Sequence, residues 1–211
     1  MRNFFYYFFL FFFLFLTPFS LRLSFFFISS IDFEWYKVKF LIWGVGIFLL
    51  LNFYTSIPKR SYIFFHELSH AIAAVFFSAK IFEFKVTKEE GYIKSDKSNI
   101  VIRLSPYFLP LTSYIILIIH FAALIYFRHY YDYRGTHPIT FFLIGFFFTT
   151  TCYYNMRLIL QETSDINREQ LILSFLLIFN FFFLTSAVLF FLLFSSETVV
   201  DKFYFVPRSL E

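Results

Sequence analysis

The stretch HELSH supplies His66, Glu67 and His70, three residues whose types and spacing fit a metal-dependent hydrolase. On a helix, positions i and i+4 lie one turn apart on the same face, so both imidazoles can reach one metal ion. Zinc suits neutral imidazole ligands and lowers the pKa of a bound water to around 7. Glu67 lies about 100° round the helix from His66, where it could take the proton of that water and deliver it to a leaving amine. The motif therefore predicts amide hydrolysis, with His66 and His70 as zinc ligands and Glu67 as general acid/base.

Other uses of the same three residues stay open at this point. Buried histidine and glutamate can form a polar cluster that joins helices, or serve a transporter as an ion or proton relay. A non-proteolytic metal-binding protein, or an idle relative of an enzyme, would carry the same motif. Small residues that let a second helix approach surround the motif: Ser69, Ala71, Ala73 and Ala74. This environment favours a metal site between helices.

The composition that surrounds the motif indicates a membrane protein. Of 211 residues, 59% are hydrophobic, 15% are charged and 40 are phenylalanine, which is more apolar surface than a soluble domain of this size can bury. We expect one all-α polytopic membrane domain over residues 1–211 with about six transmembrane helices, each close to the roughly 20 residues that a span needs. The expected spans are residues 4–21, 40–57, 61–79, 107–127, 138–158 and 171–194.

Charge and cysteine content narrow the class of site. The net charge of +4 comes from basic residues spread over all the loops, which indicates orientation signals and no nucleic-acid partner. The single cysteine, Cys152, excludes an intramolecular disulfide and a cysteine zinc site.

The longest hydrophilic stretch, about residues 80–104, follows the motif and alternates like strands. IFEFKV and GYIK on either side of a Glu90-Gly91 turn predict a small β-hairpin, and IVIRL, residues 100–104, predicts a further short strand. An exposed strand edge could pair with an unwound substrate segment, or the hairpin could simply cap the loop. The positive-inside tendency places this loop and QETSDINREQ, residues 161–170, in the cytoplasm.

FFHELSHAIAA, residues 64–74, resembles the metal-binding helix of the site-2 protease family of intramembrane zinc metalloproteases. In that family the motif lies inside a span and leads into a β-structured loop. GYIK, RLSPYFLPL and QETSDI…LILSFLLIFN are similar to a small bacterial branch, so the resemblance covers about residues 60–190. It implies a zinc-dependent endopeptidase in the lipid bilayer of a bacterial inner membrane, with membrane-anchored proteins as substrates.

The resemblance also implies a third zinc ligand, because in the family an aspartate from a later span completes the site. Asp165 is the implied ligand, although the Asn-Pro…Leu-Asp-Gly pattern of better-known members is absent here. Asp165 could instead cap the following helix. Counting spans places it on the opposite side of the membrane from Lys59, where the motif helix begins. Asp165 could then reach the motif near mid-bilayer only if segment 161–170 dips into the protein, or if one of the intervening spans is a re-entrant hairpin. Glu162 and His120 are the alternative ligands.

Polar residues elsewhere in the apolar segments are expected to join helices. Asn155, Asn180 and Thr149 to Thr151 are predicted to make interhelical hydrogen bonds, and Asn155 has the alternative of holding the substrate backbone or an oxyanion. His129 and His137, in a loop rich in tyrosine and arginine, are predicted to be surface groups.

Overall fold

The computed structural model of the chain describes residues 2–31, 34–55, 57–87, 90–127, 136–160 and 171–203. In that part the chain forms eight helices and one antiparallel pair of strands. The helices are α1 Arg2–Ser29, α2 Trp35–Tyr54, α3 Ile57–Phe76, α4 Ile100–Phe108, α5 Leu111–Phe127, α6 Thr136–Leu160, α7 Leu171–Phe194 and α8 Ser196–Phe203. The strands are β1 Ile81–Val86 and β2 Gly91–Ser95.

Four helices of the described part, α1, α2, α6 and α7, are long and apolar enough to cross a membrane. The short helix α4 and helix α5 meet at an angle of 64° and make a fifth candidate if the bent pair is one span. Helix α3 is as long as α2, but it carries the charged residues Lys59, Arg60 and Glu67 and is less apolar than the four candidate spans. The helices indicate a membrane protein, as expected, whereas the six separate spans are not confirmed.

The bend between α4 and α5 has a local cause in the sequence. Leu109 precedes Pro110, and a residue before proline is pushed out of the helical region by the proline ring. Leu109 accordingly has an extended backbone, with φ −112° and ψ 106°. The helix ends there and a new one begins at Leu111 in a different direction.

Helices α2 and α6 approach so closely that their backbones touch. A β-carbon built at Gly44 would lie 2.1 Å from the carbonyl oxygen of Phe142, and one built at Gly145 would lie 2.2 Å from that of Leu41. Further along, the ring of Phe48 on α2 packs against Phe146 on α6, with centroids 5.9 Å apart. Small residues at such a crossing allow dispersion contacts over a long interface without a hydrophobic driving force.

Asn180 joins α7 to α1, as the sequence predicts. Its amide nitrogen donates to Thr17 Oγ1 at 3.1 Å, and the Ser20 hydroxyl donates to its carbonyl oxygen. The same prediction is wrong for Thr149 to Thr151. Each of these hydroxyls donates to the carbonyl four residues earlier in α6, at 2.7–3.0 Å, because a β-hydroxyl on a helix reaches its own preceding turn.

The predicted hairpin is confirmed, and it folds back along α3. Helix α3 ends in a Schellman motif: Ser78 has φ 55°, and the amide of Ala79 donates to the carbonyl of Ala74 at 2.8 Å. This turn reverses the chain, so that the ring of Phe84 on β1 packs against Phe64 on α3, with centroids 6.1 Å apart. The hairpin is therefore a companion of the motif helix and does not extend beyond its end.

The pairing of the two strands places Glu83 opposite Lys94 and Val86 opposite Gly91. Lys94 donates to the Glu83 carboxylate at 2.6 Å, and the Tyr92 hydroxyl donates to the same carboxylate. The hydrogen bonds from Lys94 and then from Tyr92 lower the pKa of Glu83.

The predicted strand at residues 100–104 is wrong, because this segment begins α4. The Asn99 side chain accepts a hydrogen bond from the amide of Ile102 at 2.8 Å and caps the helix. Most of the helix that follows is buried: Ile102, Leu104, Ser105, Pro106 and Tyr107. The hydrophilic stretch at 80–104 is thus a hairpin followed by the first turn of a helix.

Candidate active site

Helix α3 brings the three motif residues together at a buried position. His66, Glu67 and His70 are only 7%, 8% and 6% exposed, and the centroids of the two imidazole rings lie 5.0 Å apart. This separation is what an i, i+4 pair on one helix face provides. Buried ionisable groups among apolar helices are costly, and they are a signature of functional sites.

The orientation of His70 is set by helix α4. The Nδ1 atom of His70 lies 2.7 Å from the carbonyl oxygen of Ile102. A carbonyl oxygen can only accept, so Nδ1 carries the proton and Nε2 carries the lone pair. This is the arrangement of a metal-ligating histidine, whose other ring nitrogen donates to a carbonyl or carboxylate.

His66 has a side-chain partner in place of a carbonyl. Its Nδ1 lies 2.8 Å from the hydroxyl oxygen of Tyr62, one turn earlier on α3. The Tyr62 hydroxyl in turn donates to Asn155 Oδ1, on α6, at 2.6 Å. The ring of Tyr107 packs edge-on against His66, with centroids 5.5 Å apart.

All three motif residues line one cleft of about 890 Å³. Residues from α3, β2, α4 and α6 form its walls, and they include Tyr62, Ile63, Tyr92, Ile93, Ile102 and Leu158. Charged side chains also line it: Lys59, Glu90, Lys94, Arg103 and Arg157. The buried motif is thus open to a space large enough for a short extended peptide.

Strand β2 makes close contact with the motif. Gly91, its first residue, packs on Ile63 and Glu67 so tightly that a β-carbon there would lie within 3 Å of both side chains. The hairpin therefore positions the Glu67 side chain directly.

The end of α6 lies beside the start of α3. Arg157 and Leu158, near the end of α6, line the same cleft as Lys59. The described end of α6 thus lies at the same end of α3 as Lys59, which differs from the arrangement expected from counting spans. The reason is that α4 runs back along α3, so that Tyr107 near the end of α4 lies beside His66 before α5 begins. Helices α3 and α4 are therefore not two successive crossings.

The third ligand position is undecided by the structure. Asp165 and Glu162 lie outside the described residues, as do the side chains of His129 and His137. Within the described ranges, no group of three or more His, Cys, Asp or Glu side chains is arranged to hold a metal ion.

His120 does not join the motif. It lies buried between α6 and α8, where its ring nitrogens pair with Thr140 Oγ1 at 2.9 Å and Ser196 Oγ at 3.3 Å. It is also eight residues beyond Thr112, which shares a small cavity with His66, and this is about 12 Å along α5.

Two residues outside the motif, Tyr62 and Asn155, are linked to His66 by hydrogen bonds. The expected interhelical role of Asn155 is confirmed, since it joins α6 to α3 and α4. Tyr62 was not anticipated, although its position four residues before His66 places both on one helix face. The i−4 spacing is the signal that could have identified it.

The helices indicate a membrane protein, and its candidate site is a cleft lined by two buried histidines and one buried glutamate. No protein-family model, curated protein or solved structure matches the chain. The likeness of residues 64–74 to an intramembrane metalloprotease helix therefore rests on the motif residues themselves.

Proposed function

We propose that the chain is a zinc-dependent intramembrane endopeptidase that hydrolyses peptide bonds of membrane-anchored proteins. The observation that carries the proposal is that His66, Glu67 and His70 line one cleft while His70 is held with its lone pair on Nε2 by the Ile102 carbonyl. A polar cluster that merely joined helices would have no need of a cleft beside it.

The roles of the three residues follow from their chemistry. His66 and His70 would hold zinc through their imidazole nitrogens. Zinc, when bound, supplies a Lewis acid that polarises a carbonyl and brings the pKa of a water to about 7. Glu67 takes the proton from the attacking water and returns it to the leaving amine. Gly91 holds the Glu67 side chain from the other wall of the cleft.

Asp165 is proposed as the third ligand, with Glu162 as the alternative. Leu160 lies five residues beyond Asn155, which is about 7.5 Å along α6. Tyr62, which contacts Asn155, lies about 6 Å along α3 from His66. The five residues from Leu160 to Asp165 can span at most about 17 Å when extended, so the chain is long enough to return to His66.

The proposed substrate is a segment that has lost its helical hydrogen bonds, because an amide in a helix is shielded from attack. Strand β2 runs along the cleft and pairs with β1 along one of its edges. An extended substrate segment could add to β2 and place its backbone beside Glu67. In that position the strand would both hold the substrate and fix the general base.

The test is a comparison of purified full-length wild type with Glu67→Gln, reconstituted with a single-span reporter protein. We expect both to hold about one zinc per chain, and Glu67→Gln to cut about 10²–10⁴-fold more slowly, the usual contribution of a general acid/base. Glu90→Gln, a second cleft glutamate, is the matched control and should cut like wild type. Absence of cleavage by wild type would contradict the proposed activity, and metal or proton transport that survives Glu67→Gln would favour a transporter.

A further inference from the structure

The side-chain amide of Asn155 can adopt one orientation in this fold. Its nitrogen lies 3.0 Å from the carbonyl oxygen of Pro106 and 3.3 Å from that of Tyr107. Both carbonyls belong to α4 and can only accept, so the NH₂ group must face them. The Oδ1 atom therefore faces Tyr62.

This orientation determines the direction of the remaining hydrogen bonds. A phenolic hydroxyl has one proton, and Tyr62 donates it to Asn155 Oδ1 at 2.6 Å. The contact of 2.8 Å between Tyr62 and His66 Nδ1 must then run the other way, with His66 as the donor. The proton of His66 thus resides on Nδ1 and its lone pair on Nε2.

We propose that Tyr62 and Asn155 are positioning residues that hold His66 in the tautomer and ring orientation needed to bind a divalent metal ion. The series runs from the α4 carbonyls through Asn155 and Tyr62 to His66. It gives His66 the arrangement that His70 obtains from the Ile102 carbonyl. The inference rests on the proposed metal site and adds its outer support.

Tyr154 offers a matched control in the same interface. Its ring stacks on that of Tyr62, with centroids 5.0 Å apart and planes inclined by 26°. Its hydroxyl also donates to an asparagine Oδ1, that of Asn52 on α2, at the same distance of 2.6 Å. The two tyrosines thus make equivalent hydrogen bonds, but only the Tyr62 hydroxyl contacts the His66 ring.

The experiment measures Zn²⁺ affinity of the full-length protein, by competition with a chromophoric chelator, for wild type, Tyr62→Phe and Tyr154→Phe. The melting temperature of each metal-free protein reports the structural cost of the lost hydroxyl. We expect Tyr62→Phe to bind Zn²⁺ about 10–100-fold more weakly, the usual effect of losing an outer partner of a ligand. The Zn²⁺ affinity of Tyr154→Phe should stay within about twofold of that of wild type. Its melting temperature should fall by about as much as that of Tyr62→Phe, because each variant loses one equivalent hydrogen bond. The visible spectrum of bound Co²⁺ should change in Tyr62→Phe and not in Tyr154→Phe.

Equal Zn²⁺ affinities in the two variants would overturn the positioning role and leave the proposed peptidase intact. Wild type that binds Zn²⁺ but cuts no reporter, with the affinity of Tyr62→Phe reduced, would overturn the peptidase and leave the positioning role. Wild type that binds no Zn²⁺ would overturn both.

Discussion

Gly91 lies against the side chain of Glu67: a β-carbon at position 91 would be 2.5 Å from Glu67 Cγ and 3.1 Å from its Cδ. Any residue larger than glycine at the start of β2 must therefore displace the Glu67 side chain or the strand itself. The hairpin contributes no residue to the HELSH motif, but through Gly91 it contacts Glu67, the residue proposed as general base.

We expect Gly91→Ala to lower the turnover number by at least about tenfold, since misplacing a reacting group by about 1 Å can cost 10²-fold. Zinc content should stay unchanged, because neither histidine is touched. Reporter cleavage and metal analysis of the purified protein provide the measurement. Gly46→Ala, where a β-carbon meets nothing within 4 Å, is the control; wild-type turnover in Gly91→Ala would show that the contact does not position Glu67.

The α2–α6 crossing should be sensitive to a single methyl group. In Gly145→Ala the new carbon would meet the Leu41 backbone at 2.2 Å, and such overpacking costs about 1–3 kcal/mol. We expect a lower thermal unfolding temperature in detergent. Gly46→Ala, on α2, is the control, because a β-carbon there meets nothing within 4 Å. It should be neutral or slightly stabilising, since alanine is the better helix former by up to about 1 kcal/mol. An undiminished unfolding temperature in Gly145→Ala would mean that the two backbones do not touch.

Asp165 can be tested as ligand against its role as helix cap with one substitution. Asparagine caps a helix as well as aspartate does, so Asp165→Asn keeps any cap but removes the anionic ligand. We expect its Zn²⁺ affinity to fall by at least about 100-fold, more than for an outer partner, with little change in melting temperature. Glu162→Gln is the comparison, and the reverse ranking of the two affinities would transfer the ligand role to Glu162.

The hairpin carries a pH dependence that follows from Glu83. Hydrogen bonds from Lys94 and Tyr92 lower the pKa of this carboxyl below its ordinary value of 4.5. The stabilisation of the strand pair is therefore present above that value and is lost as the pH falls through the lowered pKa. NMR titration of the Glu83 carboxyl should show a midpoint below 4.5 that rises in Lys94→Met. Lys85→Met should shift it less, because Lys85 acts on Glu83 only through its more distant charge; equal shifts would contradict the assigned cause.

The parts of the site that depend on short-range spacing are accessible from sequence. HELSH places two imidazoles one turn apart on any helix, and alternation in IFEFKV and GYIK predicts paired strands. Residues 100–104 are rich in β-branched side chains, which favour a strand, yet the Asn99 side chain caps a helix that begins at Ile100. A five-residue pattern is too short to distinguish a strand from a helix, and here its surroundings in the chain determined the outcome.

The features of the site that depend on α4 running back along α3 are not accessible from sequence. Hydropathy counts apolar segments but does not show that α4 lies beside α3, and this return is what brings the end of α6 to Lys59. The acceptors of Asn155 are two backbone carbonyls of α4, and backbone partners leave no trace in residue types. Sequence reasoning therefore identified Asn155 as a helix-joining residue without the atoms that it joins.

The short helix α4 supports both histidines at once. Its Ile102 carbonyl holds His70, and its Pro106 and Tyr107 carbonyls hold Asn155, which holds Tyr62 and thereby His66. Helix α4 is a separate segment, inclined at 64° to α5. A displacement of α4 would therefore loosen both imidazoles together, so under the proposed function Zn²⁺ binding depends on the position of this one short helix.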